Sequence, residues 1–265
     1  MDQLHIIMTR AVPAFLLAVA GGGLSAVVGL SHARLCALIS FAAGTLLGVT
    51  VFSIVPESWE AMSWWSLLLA LGSGYLVFAL ISKYVFHVCP ACAASHFDDA
   101  TTHRFREIAT ALVFALAIHS TMDGVALTAG WHMEHMKSTL GQVHNHSHNL
   151  DWSLLVAVCV HKVPEGLALG ALLLGAGVKR LSAVLWVAAV ESTTIVGGVV
   201  GLVFLGEAGN AWLHGVLAHV GGGFLFLAIH AVFGELIKHG RKVVLANFIA
   251  GVATIGIVNL LSNSH

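Results

Sequence analysis

Eight apolar runs, at about 8–30, 33–55, 64–86, 108–130, 152–176, 181–205, 212–236 and 243–262, dominate the chain. Each is long enough to cross the roughly 30 Å hydrocarbon core of a bilayer, which takes about 20 helical residues. In lipid every backbone N–H and C=O must be satisfied within its own segment, so the runs are expected as helices. A β-barrel would alternate apolar and polar residues, and this chain does not. Composition agrees: 58% of the 265 residues are apolar and 9% are charged, where a soluble domain carries about 25% charged residues. That excludes the soluble globular class, and a net charge of −1 offers nucleic acid no basic field. No Lys/Arg-rich leader with a small-residue cleavage site precedes the first run, so no removable signal peptide is expected. What needs explaining is the imidazole content, 17 His against 12 Lys plus Arg.

Lys and Arg in the connections set the expected orientation. Connections 1–2, 3–4, 5–6 and 7–8 hold Arg34; Lys83, Arg104 and Arg106; Lys179 and Arg180; Lys238, Arg241 and Lys242, nine in all. The N-terminus and the other connections hold two, Arg10 and Lys137, and Lys162 falls inside a span. Both termini are therefore expected outside, or in a lumen, with the 87–107 loop in the cytoplasm. The chain reads as one transmembrane domain over 1–265.

The spans repeat one another. Residues 113–127 (VFALAIHSTMDGVAL) and 155–169 (LVAVCVHKVPEGLAL) share a His, an acid-Gly pair four and five residues on, and Ala-Leu. A weaker pair runs from Gly44 to Pro56-Glu57 and from Gly222 to Gly234-Glu235, with thirteen residues from Gly to acid in both. Span 4 thus resembles span 5, and span 2 resembles span 7. Copies whose span numbers differ by an odd number, as 2 and 7 or 4 and 5 do, lie in opposite orientations, an arrangement transporters build around midplane sites.

Ionisable groups inside spans cost about 2.5–3.5 kcal/mol each on insertion scales and by default mark function. Here they cluster: His119 and Asp123 in span 4, His161, Lys162 and Glu165 in span 5, and Glu191 in span 6. The i, i+4 spacing stacks His119 with Asp123 on one helix face and His161 with Glu165 on another. Two helices packed along those faces would gather two imidazoles and two carboxylates, an N/O donor set suited to Zn, Mn or Fe rather than Ca or Mg. Pro164 leaves the carbonyl of Val160 unbonded, another potential oxygen donor. Gly124 and Gly166 would let the helices approach closely. A lone intramembrane His is ordinarily a polar residue bonded to a neighbouring helix; it is the duplicated His-x-x-x-acid-Gly that points to a metal.

His119-Ser-Thr-Met-Asp123-Gly124 and His161-Lys-Val-Pro164-Glu165-Gly166 resemble the span 4 and span 5 signatures of the ZIP (ZRT/IRT-like) metal transporters. The eight spans, both termini outside, the His-bearing cytoplasmic loop, Pro56-Glu57 closing span 2 and Glu191 in span 6 extend the resemblance along the chain. It implies an all-α membrane protein, a 3+2+3 inverted-repeat bundle in which spans 1, 4, 5 and 6 move against 2, 3, 7 and 8, and a homodimer. It also implies transport of a divalent metal ion, Zn(2+) first, with Fe, Mn or Cd as alternatives. The metal ligands would be His119, His161 and Glu165, with Asp123 and Glu191 completing or bridging the site. Three positions depart from the commoner pattern: Ser120 for Asn, Met122 for Pro and Asp123 for Glu. The combination is closer to the branch that includes the small Golgi-located animal members.

Lys162 stands where many members of that family have a metal-binding polar residue and hold two ions side by side. An ammonium there excludes a second dication and can pair with Glu191 or Asp123. Asp123, Glu165 and Glu191 give −3, Lys162 returns +1, and one divalent ion neutralises the remainder. The expectation is a mononuclear site with Lys162 as a built-in counter-cation.

Two loops carry further donors. His87-Val-Cys89-Pro-Ala-Cys92 with His96 and His103 has the Cys-x-x-Cys spacing that grips zinc. His132, His135, His144, His146 and His148 in the outer loop 131–150 suggest capture of incoming ion. Cys36 and Cys159 read as packing residues, and His219, His230 and Glu235 lie in span 7. Two other functions compete. An intramembrane metal-dependent hydrolase would use the His/carboxylate metal to activate water, but no His-Glu-x-x-His occurs, the nearest string being His132-Met-Glu134-His135. A haem-binding subunit with His119 and His161 as axial ligands fits poorly with carboxylates one turn from both. The acid-bearing duplicated motif favours transport, and the chain is expected not to be an enzyme.

Overall fold

The computed structural model describes residues 3–28, 32–86, 102–139, 150–205, 209–238 and 241–262. Among them eight helices are long and apolar enough to cross a membrane. In chain order they are α1 (Gln3–Val27), α2 (His32–Val49, continuing through a π-helical stretch Thr50–Ile54 into Val55–Ala61), α3 (Trp64–Leu80, running on as π-helix Ile81–Phe86), α4 (Thr102–Thr139), α5 (Leu150–Gly175), α6 (Arg180–Glu191, resuming as Thr193–Leu205), α7 (Asn210–Lys238) and α8 (Arg241–Ser262). The chain is a multi-pass membrane protein.

Several boundaries differ from the sequence reading: α1 begins at Gln3, α2 continues to Ala61 rather than about 55, and α4 begins at Thr102, inside the expected 87–107 loop. The outer loop was expected over 131–150, yet α4 continues to Thr139, with its apolar span at Val113–Met136. Met133 is buried in the core and Met136 packs against it, three residues apart on one helical face, so the segment carries apolar anchors between its polar residues. His132 and His135 are therefore helical.

The π-helical stretch of α2 has a local cause. Pro56 has no N–H to give the carbonyl of Phe52 one turn earlier, which frees that oxygen. Asn259 of α8 supplies the missing donor, its Nδ2 lying 2.6 Å from Phe52 O. A buried amide thus closes a gap that proline opens.

The helices pair in a regular scheme. α1 packs most extensively on α5, α4 on α6, α2 on α8 and α3 on α7. With the further contacts α1–α6, α4–α5 and α2–α7, these pairs make two four-helix groups, one of α1, α4, α5 and α6, the other of α2, α3, α7 and α8. The groups meet chiefly along α2–α5 and α4–α7. Every primary pair is built on reciprocal glycines whose added methyl group would overlap a carbonyl oxygen of the partner: Gly21 on Val163 and Gly166 on Ala18; Gly124 on Thr194 and Gly197 on Thr121; Gly44 on Phe248 and Gly251 on Phe41; Gly74 on His219 and Gly222 on Leu71. In each helix the contacted carbonyl lies three residues before the glycine. Small residues let backbones touch in this way where the hydrophobic effect offers helices no drive to associate.

Polar bonds reinforce the same pairs. Thr128 Oγ1 donates to Gly198 O at 2.9 Å and Thr193 Oγ1 to Ala117 O at 2.9 Å, tying α4 to α6. Arg10 forks onto the Asp151 carboxylate, joining α1 to α5. Ser73 Oγ and His219 Nδ1, 2.8 Å apart, join α3 to α7. Between the groups lies an apolar cluster that includes Leu46 and Val49 of α2, Ala126, Ala129 and Met133 of α4, Leu154 of α5, and Leu213, Leu217 and Phe224 of α7.

Candidate metal centre

α4 and α5 bring their matching motifs face to face. One helical turn separates His119 from Asp123 and His161 from Glu165, and His119, Asp123 and His161 are at most 5% exposed. His161 Nε2 lies 3.2 Å from Asp123 Oδ2 and 3.8 Å from Glu165 Oε2. His119 Nε2 lies 3.7 Å from Asp123 Oδ2 and 3.9 Å from Glu165 Oε1. Each residue offers one donor atom, all within 4.8 Å of one another, the group of metal-ligand type found among the described residues. Donors about 2.0–2.1 Å from a tetrahedral zinc stand about 3.3–3.5 Å apart, so a modest contraction would close this cluster on a single ion.

The local structure prepares the donors. His161 Nδ1 is 2.8 Å from Ala157 O, one turn back on α5. A carbonyl only accepts, so Nδ1 carries a proton and Nε2 is the nitrogen turned to the site; it would coordinate an ion in exchange for its present hydrogen bond to Asp123 Oδ2. Asp123 Oδ1 is buried without a hydrogen-bond partner, an oxygen left for something other than a protein donor. Opposite the cluster stand aromatic edges: Phe224 of α7 lies 6.1 Å from the His119 ring and 6.3 Å from that of His161, and Phe78 of α3 lies 6.4 Å from His119. The ligands thus come from one helix group and their apolar cover from the other.

Lys162 is fully buried. Its Nζ is 2.8 Å from Asp123 Oδ2, 2.8 Å from Glu165 Oε2 and 2.9 Å from Glu191 Oε2, and it donates to Ser120 Oγ at 2.7 Å. Ser120 passes its own proton toward Glu191 Oε2 at 3.1 Å. Buried charge is tolerable only when paired this thoroughly. The structure thus gathers His119, Asp123, His161 and Glu165 as one donor group, with Glu191 reached through the ammonium and hydroxyl beside it.

Three roles were not legible in sequence. Ser120 drew notice only as a departure from a family pattern, yet it bridges Lys162 and Glu191. Phe224 and Phe78 carried no signal beyond being apolar. Gly124 and Gly166 were expected to bring α4 and α5 together; instead Gly124 packs on α6 and Gly166 on α1, because the residue after each acid points about 100° away from it around the helix. The repeated glycines of spans 1 and 6, Gly21-Gly22-Gly23 and Gly197-Gly198, were the available clue.

Of the other donors, His132 and His135 flank Trp131 at the end of α4, the Trp131 ring stacking on His135 at 5.3 Å. His230 stacks on Phe226 at 3.9 Å and its Nδ1 engages Phe226 O at 2.9 Å, which makes it a packed polar residue in this arrangement. Cys36 is buried and Cys159 half-buried. His87, Cys89, Cys92, His96, His144, His146 and His148 lie outside the described residues.

Helices long and apolar enough to span a membrane, with buried imidazoles and carboxylates gathered between them, place at the heart of a membrane protein a donor set that could hold a divalent metal ion. The family profile described as ZIP zinc transporter matches residues 91–259, from before α4 through most of α8, and the chain belongs to that family. Members transport divalent metal ions, and the protein is a metal transporter of this kind rather than a member of an enzyme family. A search of curated proteins found no match.

Proposed function

We propose that this protein carries zinc toward the cytoplasm, one ion per cycle, on His119, Asp123, His161 and Glu165, with Lys162 standing where a second ion would otherwise bind. The observation that carries this reading is the ring of oxygens around Lys162 Nζ, which leaves the carboxylates no room for another cation. Glu191 then acts as the ammonium's partner more than as a ligand. With Asp123, Glu165 and Glu191 at −3 and Lys162 at +1, a bound dication makes the site neutral, which lowers the cost of carrying it through hydrocarbon.

The ligands all sit in the α1, α4, α5, α6 group. The reading is that this group shifts against α2, α3, α7 and α8, exposing the site to each side in turn. Glycine crossings and polar bonds within each group, with an apolar cluster between them, suit such a division. A 3+2+3 inverted repeat is supported by the helix pairs, which map onto themselves when spans 1, 2, 3 and 4 exchange with 6, 7, 8 and 5. Gly44 and Gly222, matched in sequence, then fall on equivalent crossings, as do Gly124 and Gly166. Direction and orientation rest on the Lys/Arg count, with both termini outside. The His/Cys loop 87–107 is proposed to receive metal, and the outer imidazoles to gather it; a homodimer is the proposed assembly. Iron, manganese or cadmium in place of zinc would leave the site argument unchanged.

Radiotracer zinc uptake into proteoliposomes tests the proposal. Uptake is expected in the wild type and lost in His161→Ala. No uptake, together with metal-dependent hydrolysis of an amide or ester lipid, would replace transport by the hydrolase reading.

A further inference from the structure

Where α3, α4 and α7 meet beside the site, the structure leaves a small recess that opens outward, with room for no more than a slender apolar end. Phe78 of α3, Ala115 and Ile118 of α4, and Phe226 and Leu227 of α7 line it, and His119 closes one side. At about 1.5 Å per residue, Phe78 lies about 21 Å along α3 from Trp64, and Phe226 about 24 Å along α7 from Asn210. Both depths fall within the roughly 30 Å hydrocarbon slab.

The rim is continuous with the bilayer-facing surface. Val77 and Leu80 on α3, and Phe114 and Ile118 on α4, are exposed beside it. No Asp, Glu, Lys or Arg lines the recess, and its polar residues are Ser82 and His119. A hydrated ion or a lipid headgroup entering here would give up water with almost nothing to replace it. A hydrocarbon chain would lose nothing.

We propose that the recess is a binding site for the end of one phospholipid acyl chain, which enters between α3 and α4 and packs beside His119. The chain would touch α4 of one helix group and α3 and α7 of the other, so its occupancy favours the arrangement of groups seen here. The recess borders the metal site through His119, and its occupant comes from the membrane itself.

The test uses the full chain in phosphatidylcholine vesicles doped with phosphatidylcholine bearing a photoactivatable diazirine near the end of one acyl chain. After irradiation, adducts are mapped by peptide mass spectrometry. Adducts are expected on Phe226 or Leu227 as well as on exposed positions such as Phe204. Ala115→Phe, which fills the recess, should reduce the Phe226 and Leu227 adducts at least fivefold while leaving those on Phe204 unchanged. Leu227→Phe serves as a second filling variant, read at Phe226, should the first fail to fold. Adducts confined to exposed faces in the wild type, or undiminished Phe226 adducts in the folded filling variants, would overturn the proposal. So would labelling of Ala115→Cys by a membrane-impermeant thiol reagent, since that makes the recess a water path. None of these readouts depends on metal transport.

Discussion

Lys162 and Asn259 each solve a local problem with a single side chain. Lys162 fills a pocket of carboxylate and hydroxyl oxygens that would otherwise repel one another. Replacing it with a shorter neutral residue changes how many ions the site takes: Lys162→Asn is expected to raise zinc stoichiometry from one to two per chain, measured by equilibrium dialysis of the purified protein. Two ions in the wild type, with no gain in the variant, would sink the mononuclear reading. Asn259 closes the carbonyl freed by Pro56, and Asn259→Leu leaves Phe52 O buried and unbonded. The expected cost is about 1–2 kcal/mol, seen as a lower melting temperature in detergent with zinc binding retained. Sequence alone revealed the proline and the buried amide but not their partnership, because 207 residues separate Phe52 from Asn259.

At the scale of helices, hydrophobic length was enough to find all eight spans, and the i, i+4 spacing of His and acid was enough to place both motifs on helical faces. Which helix packs on which was not readable, since every span is greasy on several sides and periodicity points nowhere in particular. The glycine crossings decide it, and a glycine's neighbour is invisible until two distant segments are laid together. Gly124→Ala or Gly166→Ala would drive a methyl group into the backbone of α6 or α1, and either is expected to cut the yield of folded protein sharply, judged by size-exclusion chromatography. Gly72→Ala and Gly215→Ala, which meet open space, should behave as wild type. Equal losses in both sets would mean that the crossings are not where the stability lies.

Across the whole molecule, two groups of helices share an apolar boundary, and transport requires that boundary to change. Once the native cysteines have been replaced by serine, cross-linking Ala129→Cys in α4 to Leu217→Cys in α7 joins the groups and is expected to stop zinc uptake until the link is reduced. Linking Ala14→Cys to Val158→Cys joins α1 to α5 within one group and should leave uptake intact. The paired glycines also govern how the chain can be assembled. The chief partner of α1 is α5, and that of α2 is α8, so α2 must reside in lipid while the five helices between them, α3 to α7, are synthesised. Three of its buried hydroxyls are equipped for that wait: Ser40, Thr45 and Thr50 donate to carbonyls three or four residues back on their own helix, at 2.8–2.9 Å. Loss of α8 would strand α2 without its mate, so a nascent chain halted before residue 241 should be recognised as incomplete and degraded, however well its first seven helices have inserted.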